Sequence, residues 1–131
     1  MDELLYKELS YKVQGAFFEV YKHLGNAHKE IVYQNALLEE FKDRNVNAIT
    51  QKRLGVYFKD KKVGTYIPDI VIENLIIIEI KSKPRIIPND TQQFWHYLRN
   101  SEYKLGYLVN FGSNEKVEFI RRIYDTARQK I

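Results

Sequence analysis

The chain has 131 residues, with 21 lysines and arginines against 17 acids and a formal charge of +4. At 44% hydrophobic and 29% charged, it is too apolar for a disordered chain, and its length suits one domain with a core of its own. The absence of cysteine excludes disulfides, thiolate-bound zinc, iron–sulfur clusters and a thiol nucleophile. The longest apolar run, Leu75 to Ile78, stops at Glu79, far short of the ~18 residues of a membrane span. The start, Met1-Asp2-Glu3, is acidic and makes a poor secretory signal. We therefore expect a cytoplasmic protein. The modest basic excess permits a nucleic-acid partner without requiring one.

Residues 2–24 carry a helical stripe: Leu9, Val13, Ala16, Phe17, Val20 and Leu24 recur at three- and four-residue steps. Gly25-Asn26 supplies the stop, and Glu19 and His23 share one side of the helix. A second helix is expected from about Lys29 to Asp43, with Val32, Tyr33, Ala36, Leu37 and Phe41 inward, ended by Arg44-Asn45-Val46-Asn47. The period then changes. Val56, Phe58 and Val63 read as strand residues around a charged turn, Lys59-Asp60-Lys61-Lys62. Ile70-Val71-Ile72 and Leu75-Ile76-Ile77-Ile78 are strands parted by Glu73-Asn74, and the unbroken apolar run of the second predicts cover on both faces. Pro84 and Pro88 bracket a loop. Asp90 to Asn100 reads as a third helix capped by Asn89 or Asp90. Leu105 to Phe111 reads as a buried strand, Val117 to Ile120 as a last one, and the residues after Arg121 as a charged tail. The expected architecture is α/β, with one central mixed sheet of about four to six strands and helices against it.

The chemistry concentrates in Tyr66-Ile67-Pro68-Asp69 and Ile76-Ile77-Ile78-Glu79-Ile80-Lys81. Side chains alternate along a strand, so Glu79 and Lys81 project to one side. If the hairpin pivots on Asn74, Asp69 lies opposite Glu79 on that same side; a two-residue loop would turn it away. Two neighbouring carboxylates repel when both are ionised, and a divalent ion removes the repulsion. Oxygen ligands without cysteine favour Mg²⁺ or Mn²⁺. A lysine beside such an ion completes the parts for phosphodiester hydrolysis. The structural alternative is a buried Asp–Lys or Glu–Lys ion pair within the sheet. His23, His28 and His96 lack zinc-ligand spacing, and there is no glycine-rich phosphate loop.

Pro68-Asp69 followed by Glu79-Ile80-Lys81 resembles the PD-(D/E)xK nuclease superfamily. Gln93 and Tyr97 match the QxxxY helix motif of its RecB-like and Cas4-like branch. The stretch Leu24 to Leu37, with Glu30 and Tyr33, resembles the signature of the GxxExxY family, as do Val63-Gly64-Thr65-Tyr66 and Leu105 to Gly112. Ala27 stands where that family's first glycine would fall. The likeness runs from about Leu9 to Tyr124. It implies a restriction-endonuclease-like core and a metal-dependent nuclease using Mg²⁺ or Mn²⁺ on nucleic acid, with DNA expected first and a homodimer left open.

Residue by residue, the resemblance implies that Asp69 and Glu79 hold the metal, that the Ile80 carbonyl adds a ligand, and that Lys81 positions the attacking water or the scissile phosphate. Glu30 or Glu19 would complete the metal shell from the helical side. Gln93 and Tyr97 would support the site or touch DNA, and Tyr66 would line the cleft. Lys83 and Arg85 run on from the site towards a phosphate backbone, with Lys52-Arg53, Lys59, Lys61, Lys62 and Arg121-Arg122 as candidates further out; the alternative is ordinary surface charge, the reading the sequence favours for Lys61-Lys62. The rival reading is a nucleic-acid- or partner-binding module that keeps the nuclease fold without turnover.

Overall fold

A computed structural model describes residues 6–125 of the chain. Two helices come first, α1 (Lys7–Leu24) and α2 (Glu30–Asp43). The start of the expected first helix, up to residue 5, lies outside the described residues. Gly25, at φ 67°, ends α1 and donates its N–H to the Tyr21 carbonyl, the left-handed stop that glycine permits. α2 ends with Asn45 left-handed at φ 59°. There the Val46 N–H reaches the Phe41 carbonyl and the Asn45 N–H the Lys42 carbonyl. That is the Schellman pattern, with Val46 and Phe41 both in the core as its hydrophobic contact.

The strands are β1 (Ala48–Ile49), β2 (Leu54–Phe58), β3 (Lys61–Tyr66), β4 (Ile70–Ile72) and β5 (Ile76–Lys81); after α3 (Pro88–Arg99) come β6 (Leu105–Asn110) and β7 (Glu118–Ile123). Five of them form a sheet in the order β1-β4-β5-β6-β7, in which only β5 and β6 are parallel, joined through α3. β2 and β3 form a separate two-stranded ribbon, where the sequence suggested a single sheet. Its turn is Lys59-Asp60, both left-handed at φ 51° and 66°, so Lys61 and Lys62 belong to the strand instead of the turn. β1 is too short to show any period and was not expected. β7 runs past the expected end at Ile120, through Arg121 and on to Arg122 and Ile123, which the sequence assigned to a charged tail.

The sheet separates two apolar layers. On one side Ile70, Ile72, Ile76, Ile78 and Ile80 pack with Val13, Phe17, Tyr33, Leu37 and Phe41 of α1 and α2. On the other, Val71, Ile77 and Leu108 pack with Phe94 and Leu98 of α3 and with Tyr66. β5 is thus covered on both faces, and at ~25 cal/mol per Å² its buried isoleucines supply a large share of the driving force.

α3 begins two residues before the expected start. Pro88 takes the first helical position, where its missing N–H costs nothing. Asp90, three residues after Ile87, turns its carboxylate back to accept the Ile87 N–H at 3.0 Å. The acid is therefore a first-turn residue instead of the cap itself.

Candidate active site

The turn between β4 and β5 decides where the acids fall. Glu73 and Asn74 are both left-handed, at φ 51° and 55°, and the Leu75 N–H closes on the Ile72 carbonyl at 2.8 Å. Strand pairing resumes at Ile72 opposite Ile76 and continues to Ile70 opposite Ile78. Three residues therefore lie in the loop. One more step along this register sets Asp69 opposite Glu79, on the face that also carries Val71 and Ile77.

Side-chain hydrogen bonds fix the pair. Asp69 Oδ2 accepts the Ile80 N–H at 2.7 Å. Glu79 Oε1 accepts the Tyr66 hydroxyl at 2.9 Å and the Asp69 N–H at 3.2 Å. Tyr66 lies flat against Tyr97 of α3, with ring centroids 4.0 Å apart and planes within 4°. Among the described residues, no hydrogen bond reaches the second oxygens, Asp69 Oδ1 and Glu79 Oε2.

Electrostatics follow from this half-buried placement. Burial pushes the Glu79 carboxyl up to about 7, and the Asp69 charge adds to it against the Tyr66 hydrogen bond. Burial also raises Asp69, with Glu30 contributing in the same direction. The Tyr66 hydroxyl is raised by burial and then by the Glu79 charge, so it stays a donor. Lys81 projects beside both acids and lowers each of them, as it does Asp90. It forms no ion pair with Asp69 or Glu79. The internal ion-pair alternative therefore does not describe this strand end.

Glu30, the first residue of α2, approaches from the opposite layer, and its charge acts on Asp69. The loop before it is tied at several points. The Tyr33 hydroxyl donates to the Gly25 carbonyl at 2.6 Å and accepts the His28 N–H at 3.3 Å, while its ring stacks on Phe111 at 4.5 Å. Ser82, just after β5, donates its hydroxyl to the His28 carbonyl at 2.6 Å. Glu30 and Ser82 share an open hollow of about 440 Å³. Ala27 is exposed and does not take a left-handed φ, so replacing glycine there imposes no backbone strain. Glu19 faces elsewhere: it binds His23 at 2.7 Å and lines a hollow with Glu39, Glu40 and Asp43.

The remaining expected residues divide. Tyr97 reaches the site through its stack on Tyr66, and Gln93, one turn earlier, is exposed. The Lys83 ammonium is held by Asp90 at 2.8 Å. Burial works to raise Asp90, but the Ile87 N–H and Lys83 outweigh it and leave that carboxyl lowered. Arg85 is exposed. Arg121 is drawn inward, its guanidinium donating to the Tyr107 hydroxyl and to Ser10.

Asn110 was missed from the sequence. It is fully buried, and in the ladder it stands between Lys81 and Glu118. Its Oδ1 accepts the Lys83 N–H at 3.0 Å and the Gly112 N–H at 3.1 Å. Its Nδ2 donates to the Lys83 carbonyl at 2.8 Å and to Glu118 Oε1 at 2.9 Å. Gly112 is required beside it, because a methyl there would run into the Lys83 backbone. The signal was available: one polar residue closes an otherwise apolar strand, with glycine two positions on.

A family model for the PD-(D/E)XK nuclease superfamily matches residues 7–123. The chain belongs to that superfamily. No curated protein and no solved structure gives a significant match. The α/β fold, with its five-stranded mixed sheet flanked by helices, agrees with a restriction-endonuclease-like PD-(D/E)XK core. Members are generally nucleases that use divalent metals such as Mg²⁺ and act on nucleic acid. No helix of the described residues is long and apolar enough to cross a membrane.

Among the described residues, no three His, Asp or Glu side chains converge on one point as a metal cage. The donor chemistry of the superfamily motif nevertheless fits a hard divalent cation. Two carboxylates sit side by side, each with an oxygen that no described residue hydrogen-bonds, and burial has driven both towards the neutral form that a cation would reverse.

Proposed function

We propose that the chain is a metal-dependent nuclease that hydrolyses DNA phosphodiester bonds, and that within the superfamily it belongs with the GxxExxY group of the RecB/Cas4-like branch. The observation carrying this reading is the Asp69–Glu79 register, with Lys81 beside it in no ion pair among the described residues and the Glu30 charge acting on Asp69 from α2. Asp69 and Glu79 would hold Mg²⁺ or Mn²⁺ through their free oxygens, with the Ile80 carbonyl and Glu30 as further ligands. Such an ion, when bound, supplies Lewis acidity and a water of lowered pKa.

The other roles belong to this chain's side chains. Lys81 positions the attacking water or the scissile phosphate and opposes the charge that develops on the phosphoryl oxygens. Tyr66 fixes the rotamer of Glu79 through its hydroxyl, and Tyr97 keeps the Tyr66 ring from swinging into the cleft. Lys83, engaged with Asp90, would serve the site by fixing the segment after Lys81; Arg85 and Gln93, both exposed, would meet the substrate. We place the protein in the cytoplasm.

The test is cleavage of single- and double-stranded DNA and RNA by the purified chain with Mg²⁺ or Mn²⁺. Cleavage of DNA is expected, abolished by EDTA and in Asp69→Ala, Glu79→Ala and Lys81→Ala. Intact DNA with both metals, from protein shown to be folded, overturns the catalytic reading. Chelator-resistant binding without cleavage would instead indicate a binding module.

A further inference from the structure

Tyr57, Phe58 and Val63 are 64%, 62% and 63% exposed, and all three lie on the outer half of the β2–β3 ribbon. Lys59, Lys61 and Lys62 surround them, against one acid, Asp60. The pairing distributes these groups over both faces. Phe58 stands opposite Lys61, and Tyr57 opposite Lys62. Successive pairs point to opposite sides, so each face carries one ring and one ammonium. A register shift beside Tyr57 leaves Val63 as an extra residue, and bulges of this kind increase ribbon twist. Lys59 lies over the Phe58 ring at 5.4 Å.

We propose that this ribbon inserts into the major groove of duplex DNA and grips the substrate beside the cut. The inference rests on the nuclease reading and names its substrate form. Three cations against one anion match a phosphate backbone. Groups on both faces and at the tip need an occupant that surrounds the ribbon, and a B-form major groove, about 12 Å wide, admits a two-stranded ribbon. A single strand would cover one face only, and the deep, narrow major groove of an RNA duplex excludes it. The lysines reach phosphates on the two walls, while Phe58 and Tyr57 make apolar contacts with base edges. Six residue steps lead from the tip at Asp60 to Tyr66 at the site, a reach of roughly 20 Å at about 3.3 Å per step. That is close to half a turn of duplex, about 17 Å, so tip and acids meet the same DNA.

The experiment measures binding in EDTA by fluorescence anisotropy, using the full chain, a DNA duplex of about two turns, the same sequence as duplex RNA, and its single strand. The variants are Lys59→Ala/Lys61→Ala/Lys62→Ala and, separately, Phe58→Ala. Tightest binding to duplex DNA is expected. The triple variant should weaken it about tenfold or more at low salt and flatten the log K against log salt slope by about 0.9 for each phosphate that a lysine no longer neutralises. Equal affinity and slope in the variants would overturn the ribbon proposal and leave the catalytic site untouched. Equal weakening on single strands would overturn groove insertion, as would sedimentation showing a dimer that Phe58→Ala dissolves. If the unaltered chain binds no duplex DNA, the ribbon proposal fails, while the nuclease reading is decided separately by cleavage with Mg²⁺ or Mn²⁺.

Discussion

Replacing Asn110 by alanine removes four hydrogen bonds in a fully buried position. At about 1 kcal/mol net for each bond the loss is about 4 kcal/mol. The Lys83 N–H and C=O and the Gly112 N–H are left without their partner, which works in the same direction. We expect Asn110→Ala to lose about 3–5 kcal/mol, a large fraction of the roughly 5–15 kcal/mol typical of a domain. The assay is urea unfolding followed by circular dichroism, in which the midpoint should fall with little change in slope. Asn110→Asp sharpens the test. It keeps both acceptor bonds, loses both donor bonds, and sets a second carboxylate against Glu118. It should be strongly destabilised at neutral pH and partly recover when the acids are protonated. A loss below about 1 kcal/mol for Asn110→Ala would refute the claim that this amide anchors the segment after Lys81.

Lys81→Ala should leave stability within about 0.5 kcal/mol, because Lys81 forms no ion pair with the acids, while cleavage falls by about 100-fold or more; a large shift of the melting temperature would instead make it a structural residue. In EDTA, Glu79 is raised from 4.5 to about 7, so the folded chain binds more protons than the unfolded chain in that window. Its contribution is therefore fully present below about 4.5 and is lost as pH rises towards 7, a change of up to about 3 kcal/mol at about 1.36 kcal/mol per tenfold. Glu79→Gln should flatten that profile, and Mn²⁺ at about 100 times its dissociation constant should restore about 2.7 kcal/mol at neutral pH. Thermal melts across pH check both. Deleting Leu75 shortens the β4–β5 loop to two residues and should turn Asp69 away from Glu79, abolishing metal-dependent stabilisation and cleavage together; retained metal binding would contradict the register.

The apolar periods of α1, α2, β5 and β6 were legible because each buries a continuous stripe, and the Asp69–Glu79–Lys81 grouping followed from strand alternation and one assumption about the turn. The structure supplies that assumption as the two left-handed residues Glu73 and Asn74. Features that depend on distant partners stayed hidden. β1 has two residues and exists only because Ala48 and Ile49 find Ile72 and Val71. Arg121 read as surface charge because Tyr107 and Ser10 lie 14 and 111 positions away. The choice between Glu30 and Glu19 was open for the same reason: their spacing along the chain does not say which end of each helix meets β5.

Tyr66 ends the ribbon, forms half of the ring stack on α3 and holds Glu79, all with one side chain. The ribbon is therefore not a detachable appendage. It can be trimmed from its tip in matched pairs of residues, one from each strand, leaving the last rungs and Tyr66 in place. Cutting it out whole, or grafting it elsewhere as a binding module, would separate the carboxylate from the phenol that orients it. Engineering of grip and of chemistry in this protein can be independent only on the tip side of Val56 and Gly64.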